Sequence, residues 1–325
     1  MVSAHAFYAS YFGHEPELLE AVLSDLRHAG EGEERSCIFL AGDSSLDNNP
    51  AVNGYERVLA PPEQKCDVAF WLNQEAVRRG RRDLFALNTA VEATSLNDRA
   101  FCHLLPQDAL IRRRIQPRDF LIVSVGGNDL ALVPVIATIL NIVPLLCCTP
   151  ISLIERGFAC PPNSHVDCGC LGCGLPGCVV GLCGCPPGLA YFADLFGNRV
   201  QNYVERVLGS TRPRKVIVCM YYFLDAAIRR VFEVGTSKIC IPGTEVIALP
   251  LFRVLDGSDT NDYIQRVEPS PRGGAKMARA LMDAVLGVNV EFWTAGSTPA
   301  DSVALVDNGL RGSSSPDSEA ISRLP

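Results

Sequence analysis

Apolar residues along this chain follow two rhythms. Short runs with almost no polar interruption recur at Cys37–Ala41, Leu84–Leu87, Phe120–Val125, Lys215–Met220 and Glu245–Leu251. Strands that are apolar throughout are covered on both faces, which is the habit of parallel sheets. Between most of these runs the spacing becomes helical. Pro16 suits the first turn of a helix over 16–29, in which Leu18, Leu19, Val22, Leu23 and Leu26 form one face and Gly30 supplies a stop. Phe192, Phe196, Val200, Val204 and Leu208 recur every four residues, and Met277, Leu281 and Val285 line one side of a helix over 275–286. Strands alternating with helices predict an α/β protein, a three-layer α/β/α sandwich around a mainly parallel sheet of five strands.

The same pattern divides the chain. Residues 1–36 read as an N-terminal helical segment and 37–295 as the main domain. Residues 158–188, crowded with Cys, Gly and Pro, interrupt that domain as an insertion. Residues 296–325 are rich in Ser, Asp, Pro and Gly without an apolar period, the composition of a disordered tail. Leu130–Cys148 is nearly uncharged and long enough to raise the question of a membrane span. Pro134, Asn141 and Pro144 interrupt it, and it directly follows a glycine turn, so a buried helix and loop are expected there.

Charge and cysteine content narrow the classes. A chain of 325 residues with 48% hydrophobic residues has the material for a substantial core. The formal net charge of −7 and the absence of a basic stripe oppose nucleic-acid binding. The amino end shows no secretory pattern, so a reducing, cytoplasmic setting is expected, with the 14 cysteines as thiols or metal ligands. Cys168, Cys170, Cys173, Cys178, Cys183 and Cys185 have Cys-x-x-Cys and Cys-x-Cys spacings that let thiolates converge on a structural zinc. Cys160 and His165 enlarge that ligand pool. The competing reading is a glycine-proline lid carrying free or lipid-modifiable thiols.

Candidate chemistry sits at two strand ends. In Ile38-Phe39-Leu40-Ala41-Gly42-Asp43-Ser44 an apolar strand breaks at a glycine and presents an acid and a serine. A nucleophilic serine needs such a rigid strand end and an exposing turn. In Ile122-Val123-Ser124-Val125-Gly126-Gly127-Asn128-Asp129 a second strand ends in a glycine turn that carries an amide. Active groups of parallel sheets gather beyond the carboxyl ends of strands, so Ser44 and Asn128 share an edge.

With these blocks the chain resembles the GDSL, or SGNH, hydrolase family of esterases and lipases. The resemblance runs from about residue 37 to 286 and implies a flavodoxin-like fold. By motif it implies Ser44 as nucleophile and one oxyanion N–H, and Asn128 as a side-chain oxyanion donor. The family's second block is matched by Asn88-Thr89-Ala90-Val91-Glu92-Ala93-Thr94, which puts Ala93 where the family has a glycine N–H donor. The family's closing Asp-x-x-His-Pro corresponds to Gln265-Arg266-Val267-Glu268-Pro269, so Glu268 stands in the position of the histidine base and Gln265 in that of the acid. None of the five histidines, His5, His14, His28, His103 and His165, lies near this block.

A carboxylate base works best with its pKa raised toward about 6–7. Arg266, Arg272 and a helix expected to start at Ser270 (cap) and Pro271 act in the opposite direction on Glu268. Other candidates for the base are Asp256, Asp259 and Asp262, a lid residue His165, and His103, expected on a helix. The implied activity is hydrolysis of a small-molecule ester or acyl substrate through a Ser44 acyl-enzyme, with no cofactor required. The alternative is a catalytically inactive binding or scaffold protein that kept the fold and lost the base. Oligomeric state stays open.

Overall fold

Five strands form one sheet where the apolar runs predict them: β1 (Ser36–Gly42), β2 (Leu84–Asn88), β3 (Phe120–Ser124), β4 (Lys215–Met220) and β5 (Glu245–Pro250). The structure is a computed structural model describing residues 2–10, 13–29, 34–46, 51–53, 59–61, 63–222, 226–264 and 268–288. Gln265 and the segment 296–325 lie outside the described residues. Every pairing in the sheet is parallel, in the order β2-β1-β3-β4-β5. That is the flavodoxin-like order, in which the direction of winding reverses between β1 and β3.

Helices cover both faces: α1 (Pro16–Arg27), α2 (Val68–Arg78), α3 (Pro106–Arg114), α4 (Gly127–Ala131) and α5 (Ile136–Cys147) in the first half. The second half adds α6 (Leu189–Ala193), α7 (Val200–Leu208), α8 (Ala226–Val234) and α9 (Pro271–Leu286). Alternating strand residues divide the core. Phe39, Leu121, Val123 and Val218 pack with α1, α7 and α8, while Ile38, Leu40, Ile122 and Ile217 pack with α2 and α9. The sandwich is therefore α/β/α, as the pattern predicts. Buried Arg27 ties α1 to the sheet: its guanidinium is 2.6 Å from Asp119, whose other oxygen accepts the Cys37 N–H at 2.9 Å.

Local predictions resolve individually. Helix α1 ends at Arg27, with His28 as its C-cap. The four-residue spacing of Phe192 to Leu208 is wider than the 3.6 of an α-helix. The chain accommodates it with a π turn over Asp194–Arg199 between α6 and α7, and all five side chains are buried. Ser270 caps α9 through the Gly273 N–H at 3.1 Å, with Pro271 as the first helical residue. His103 is not on a helix. It lies in the loop before α3, its Nδ1 2.7 Å from the Asp98 carbonyl.

The larger correction concerns Leu130–Cys148. A helix forms, but it is buried on one side only, through Ala137, Thr138, Asn141 and Leu145; Ile136, Ile139, Leu140, Val143 and Leu146 all face solvent. Among the described residues no helix is long and apolar enough to cross a membrane. In the cysteine-rich segment, Phe158–Ala159 pairs antiparallel with Gly184–Cys185 and closes the loop at its base. Cys173 is buried and accepts from Asn202 Nδ2 at 3.1 Å, Cys168, Cys183 and Cys185 are half-buried, and Cys178 is exposed. Among the described residues no three metal-ligating side chains gather at one point; the Cys170 side chain lies outside them.

Candidate active site

The site is assembled where β1 and β3 end side by side. Gly42 pairs with Ser124 across the two strands, and the Asp43 N–H donates to the Ser124 carbonyl at 3.2 Å. A Cβ on Gly42 would collide with that carbonyl oxygen, so only glycine lets the strand ends close up. The two serines that follow have different surroundings. Ser45 is buried, its Oγ 2.7 Å from Ser124 Oγ, whereas Ser44 is partly exposed. The turn therefore presents Ser44 and retains Ser45 as packing.

Asp43 is 2% exposed. Its Oδ1 accepts the Ser45 N–H at 3.1 Å and its Oδ2 accepts the Tyr221 hydroxyl at 2.7 Å. Burial pushes the Asp43 carboxyl above its ordinary range, and these hydrogen bonds restrain the rise. Tyr221 Oη in turn accepts the Gly127 N–H at 2.6 Å. One phenol just beyond β4 thus links the Ser44 turn to the Asn128 turn. Both glycines of that second turn are required: Gly126 has φ 104°, and a Cβ on Gly127 would sit 2.5 Å from the Tyr221 ring.

The loop after β2 completes the edge. The Val91 N–H donates to the Gly42 carbonyl at 3.0 Å, and Ala93 stands at φ 57°, in the left-handed region that glycine favours. The expected glycine position is thus glycine-like in backbone while occupied by alanine. Asn128 Nδ2 donates to the Thr94 carbonyl at 2.9 Å, and Asp129 Oδ2 accepts the Leu96 N–H at 2.7 Å. An amide nitrogen has two hydrogens, so one holds the loop and a second stays for other work. Fully buried Arg99 braces the assembly, donating to the Gly42 carbonyl at 3.2 Å, the Ser95 carbonyl at 3.1 Å and Asp108 at 3.1 Å. Burial opposes its charge, and Asp108, Tyr203 and Asp43 together more than restore it.

The closing block approaches from β5. Glu268 is half-buried and pairs antiparallel with Ile264; Arg266 lies outside the described residues. Pro269 and Ser270 line a small cleft with Ser45, Leu46, Asp67 and Gly274, which brings this block against the Ser44 turn. Tyr222 feels the acids of both blocks: burial raises its pKa first, then the charges of Asp43, Tyr263 and Glu268. Asp262 is fully buried, with Lys276 Nζ at 2.8 Å and Arg272 Nε at 3.6 Å. Asp259 pairs with Arg272 at 3.1 Å, and Asp256 accepts from Ser258 on the surface. The histidines lie elsewhere. His14 is buried and stacked on Phe7, His103 bonds a backbone carbonyl, and His165 sits exposed in the cysteine-rich loop.

Tyr221, Arg99 and Tyr222 are the residues that sequence reasoning missed. Only the tyrosine pair at the end of β4 carried a signal, an aromatic doublet at the strand edge where active groups collect.

No family model matches the chain, and no curated protein matches it. Among solved structures it is similar to a lipase/acylhydrolase from Enterococcus faecalis, at 12% identity and a TM-score of 0.38, covering 78% of this chain and 96% of that one. It is similar to an α/β hydrolase enzyme from the metagenome of Lake Arreo, Spain, at 14% identity and a TM-score of 0.40, covering 78% and 96%. A Clostridium thermocellum family 3 carbohydrate esterase aligns at 12% identity and a TM-score of 0.37, covering 80% and 98%.

Proposed function

We propose that this chain is a GDSL/SGNH-type serine hydrolase acting on small-molecule esters. The observation that carries the reading is the clamp between Asn128 Nδ2 and the Thr94 carbonyl, beside the left-handed turn at Ala93. It joins the second and third blocks at the strand edge that presents Ser44. A left-handed alanine costs roughly 1–2 kcal/mol, and such strain collects where a backbone group must be aimed.

In the proposed reaction the Ser44 hydroxyl attacks the ester carbonyl. The tetrahedral oxyanion accepts hydrogen bonds from the Ser44 and Ala93 N–H groups and the second Asn128 amide hydrogen. Glu268, in the closing block, takes the serine proton and returns it to the leaving alcohol; water then releases the acyl group. Asp262, the other carboxylate considered, is already paired with Lys276 at 2.8 Å, which suits a structural role at the start of α9.

One observation favours a second reading, an inert binding protein. Among the described residues no histidine reaches this edge, so the strongest ordinary base is missing. Removing a triad member from a serine hydrolase leaves only about 10³–10⁴-fold catalysis over water. Fluorophosphonate labelling read by intact mass separates the readings without knowledge of the substrate. A single adduct on the wild type that disappears in Ser44→Ala supports the hydrolase. A well-folded wild type that takes no adduct, at probe levels that saturate a working serine hydrolase, supports the binding protein.

A further inference from the structure

Helix α5 is built inside out. Its two polar side chains face the protein: Thr138 Oγ1 is 2.7 Å from the Tyr191 hydroxyl, and Asn141 Nδ2 donates to the Ala137 and Gly177 carbonyls at 2.8 and 2.9 Å. Five of its large apolar side chains face outward, with Ile136 76% and Leu140 58% exposed, while Leu145 packs inward. A helix on a water-soluble surface has the reverse polarity.

The inversion extends beyond α5. Fourteen of the seventeen exposed large apolar side chains among the described residues lie between Leu132 and Leu182. The short Gly177–Val180 helix packs on Asn141, and Val179 and Leu182 beside it are exposed. Between residues 130 and 193 only Glu155, Arg156 and Asp167 carry charge, although 20% of the whole chain is charged. Asp167 is itself buried against Arg199 at 2.9 Å.

We infer that this face docks into the hydrocarbon boundary of a lipid surface. A protein partner would be held by aromatic anchors and interfacial hydrogen bonds. Instead the α5 face offers aliphatic side chains and, at its end, the exposed thiols of Cys147 and Cys148. Its two polar side chains are satisfied internally, as a hydrocarbon medium requires. Twelve residues span about 18 Å, short of the roughly 30 Å of a bilayer core, so α5 lies along the surface. The face begins four residues after Asn128, which brings the candidate site close to the lipid. The docking does not depend on Ser44 acting as a nucleophile.

Flotation of the full chain with neutral phosphatidylcholine vesicles tests this. The wild type is expected to float with the vesicles, equally at about 0.1 M and about 0.5 M salt, because the face carries no charge to screen. Ile136→Glu/Leu140→Glu should cut the bound fraction at least about tenfold. Val77→Glu, which alters an exposed valine outside the face, should leave it unchanged. Should the double glutamate variant misfold by circular dichroism, Ile136→Ser/Leu140→Ser takes its place. Wild type left entirely in the lipid-free fractions overturns the proposal. If light scattering then shows a dimer that the double variant dissociates, the occupant is a second copy of the chain.

Discussion

Replacing Tyr221 by phenylalanine isolates the atom that joins the two turns of the candidate site. The ring stays, so its packing against Phe196, with centroids 6.1 Å apart, and against Gly127 is kept. What is lost is one oxygen that donates to Asp43 Oδ2 at 2.7 Å and accepts the Gly127 N–H at 2.6 Å. A hydrogen bond to a charged group contributes about 1.5–3 kcal/mol, and a buried N–H left without a partner costs about 1–3 kcal/mol. Both effects pass through one atom and do not simply add, so the expected loss at pH 7.5 is about 3 kcal/mol.

The loss must also depend on pH. Asp43 has a folded pKa raised by burial, so its contribution to stability is full below its unfolded value of about 3.8 and declines as pH rises through the folded value. Tyr221 restrains that rise. Without the phenol the folded pKa climbs further, the variant is hurt most at neutral pH, and it approaches the wild type on acidification. Urea unfolding at pH 7.5 and pH 4.5 measures both effects. A loss below about 0.5 kcal/mol at pH 7.5, or one that does not shrink at pH 4.5, would refute the coupling of the two turns through this oxygen.

Ala93→Gly should raise stability by about 0.5–1 kcal/mol, because relief of the left-handed strain exceeds the added freedom of the unfolded chain; a higher thermal midpoint checks it, and a lower one contradicts the backbone geometry. Asp194 is 2% exposed, and burial pushes its pKa from 3.8 to about 6 against the pull of Asn198 and Arg199. Its contribution to stability is present below pH 4 and lost as pH rises through 6. Asp194→Asn should therefore exceed the wild type by about 3 kcal/mol at pH 7.5 and match it near pH 4, read by urea midpoints.

The helix α5 and the closing block show where reading a linear chain stops. Ile136, Ile139, Leu140, Val143 and Leu146 share a helical face whichever way it points. Burial was the natural expectation for so apolar a stretch, yet Thr138 and Asn141 turn inward because Tyr191 and the Gly177 carbonyl give them partners there. Those partners are 53 and 36 residues away in sequence. Glu268 is identified by its place before Pro269 and the α9 cap. The approach of Pro269 and Ser270 to Ser45 depends on how the chain returns from β5.

Local physics is legible along the linear chain. Uninterrupted apolar runs placed all five strands of the sheet, because a strand covered on both faces has no polar positions to lose. Pro16, Ser270 and Pro271 placed helix starts, because capping depends on adjacent residues. Gly42 and Gly126-Gly127 marked the two turns, because only glycine tolerates the crowding or the positive φ found there. The tertiary structure alone decided which of two adjacent serines is presented, by pairing Ser45 with Ser124. It also decided that an arginine and a tyrosine distant in sequence brace the strand edge, and which way α5 points. Hydrogen bonds of this kind join residues from separate elements, and the order of strands in space, rather than any local preference, brings them within reach.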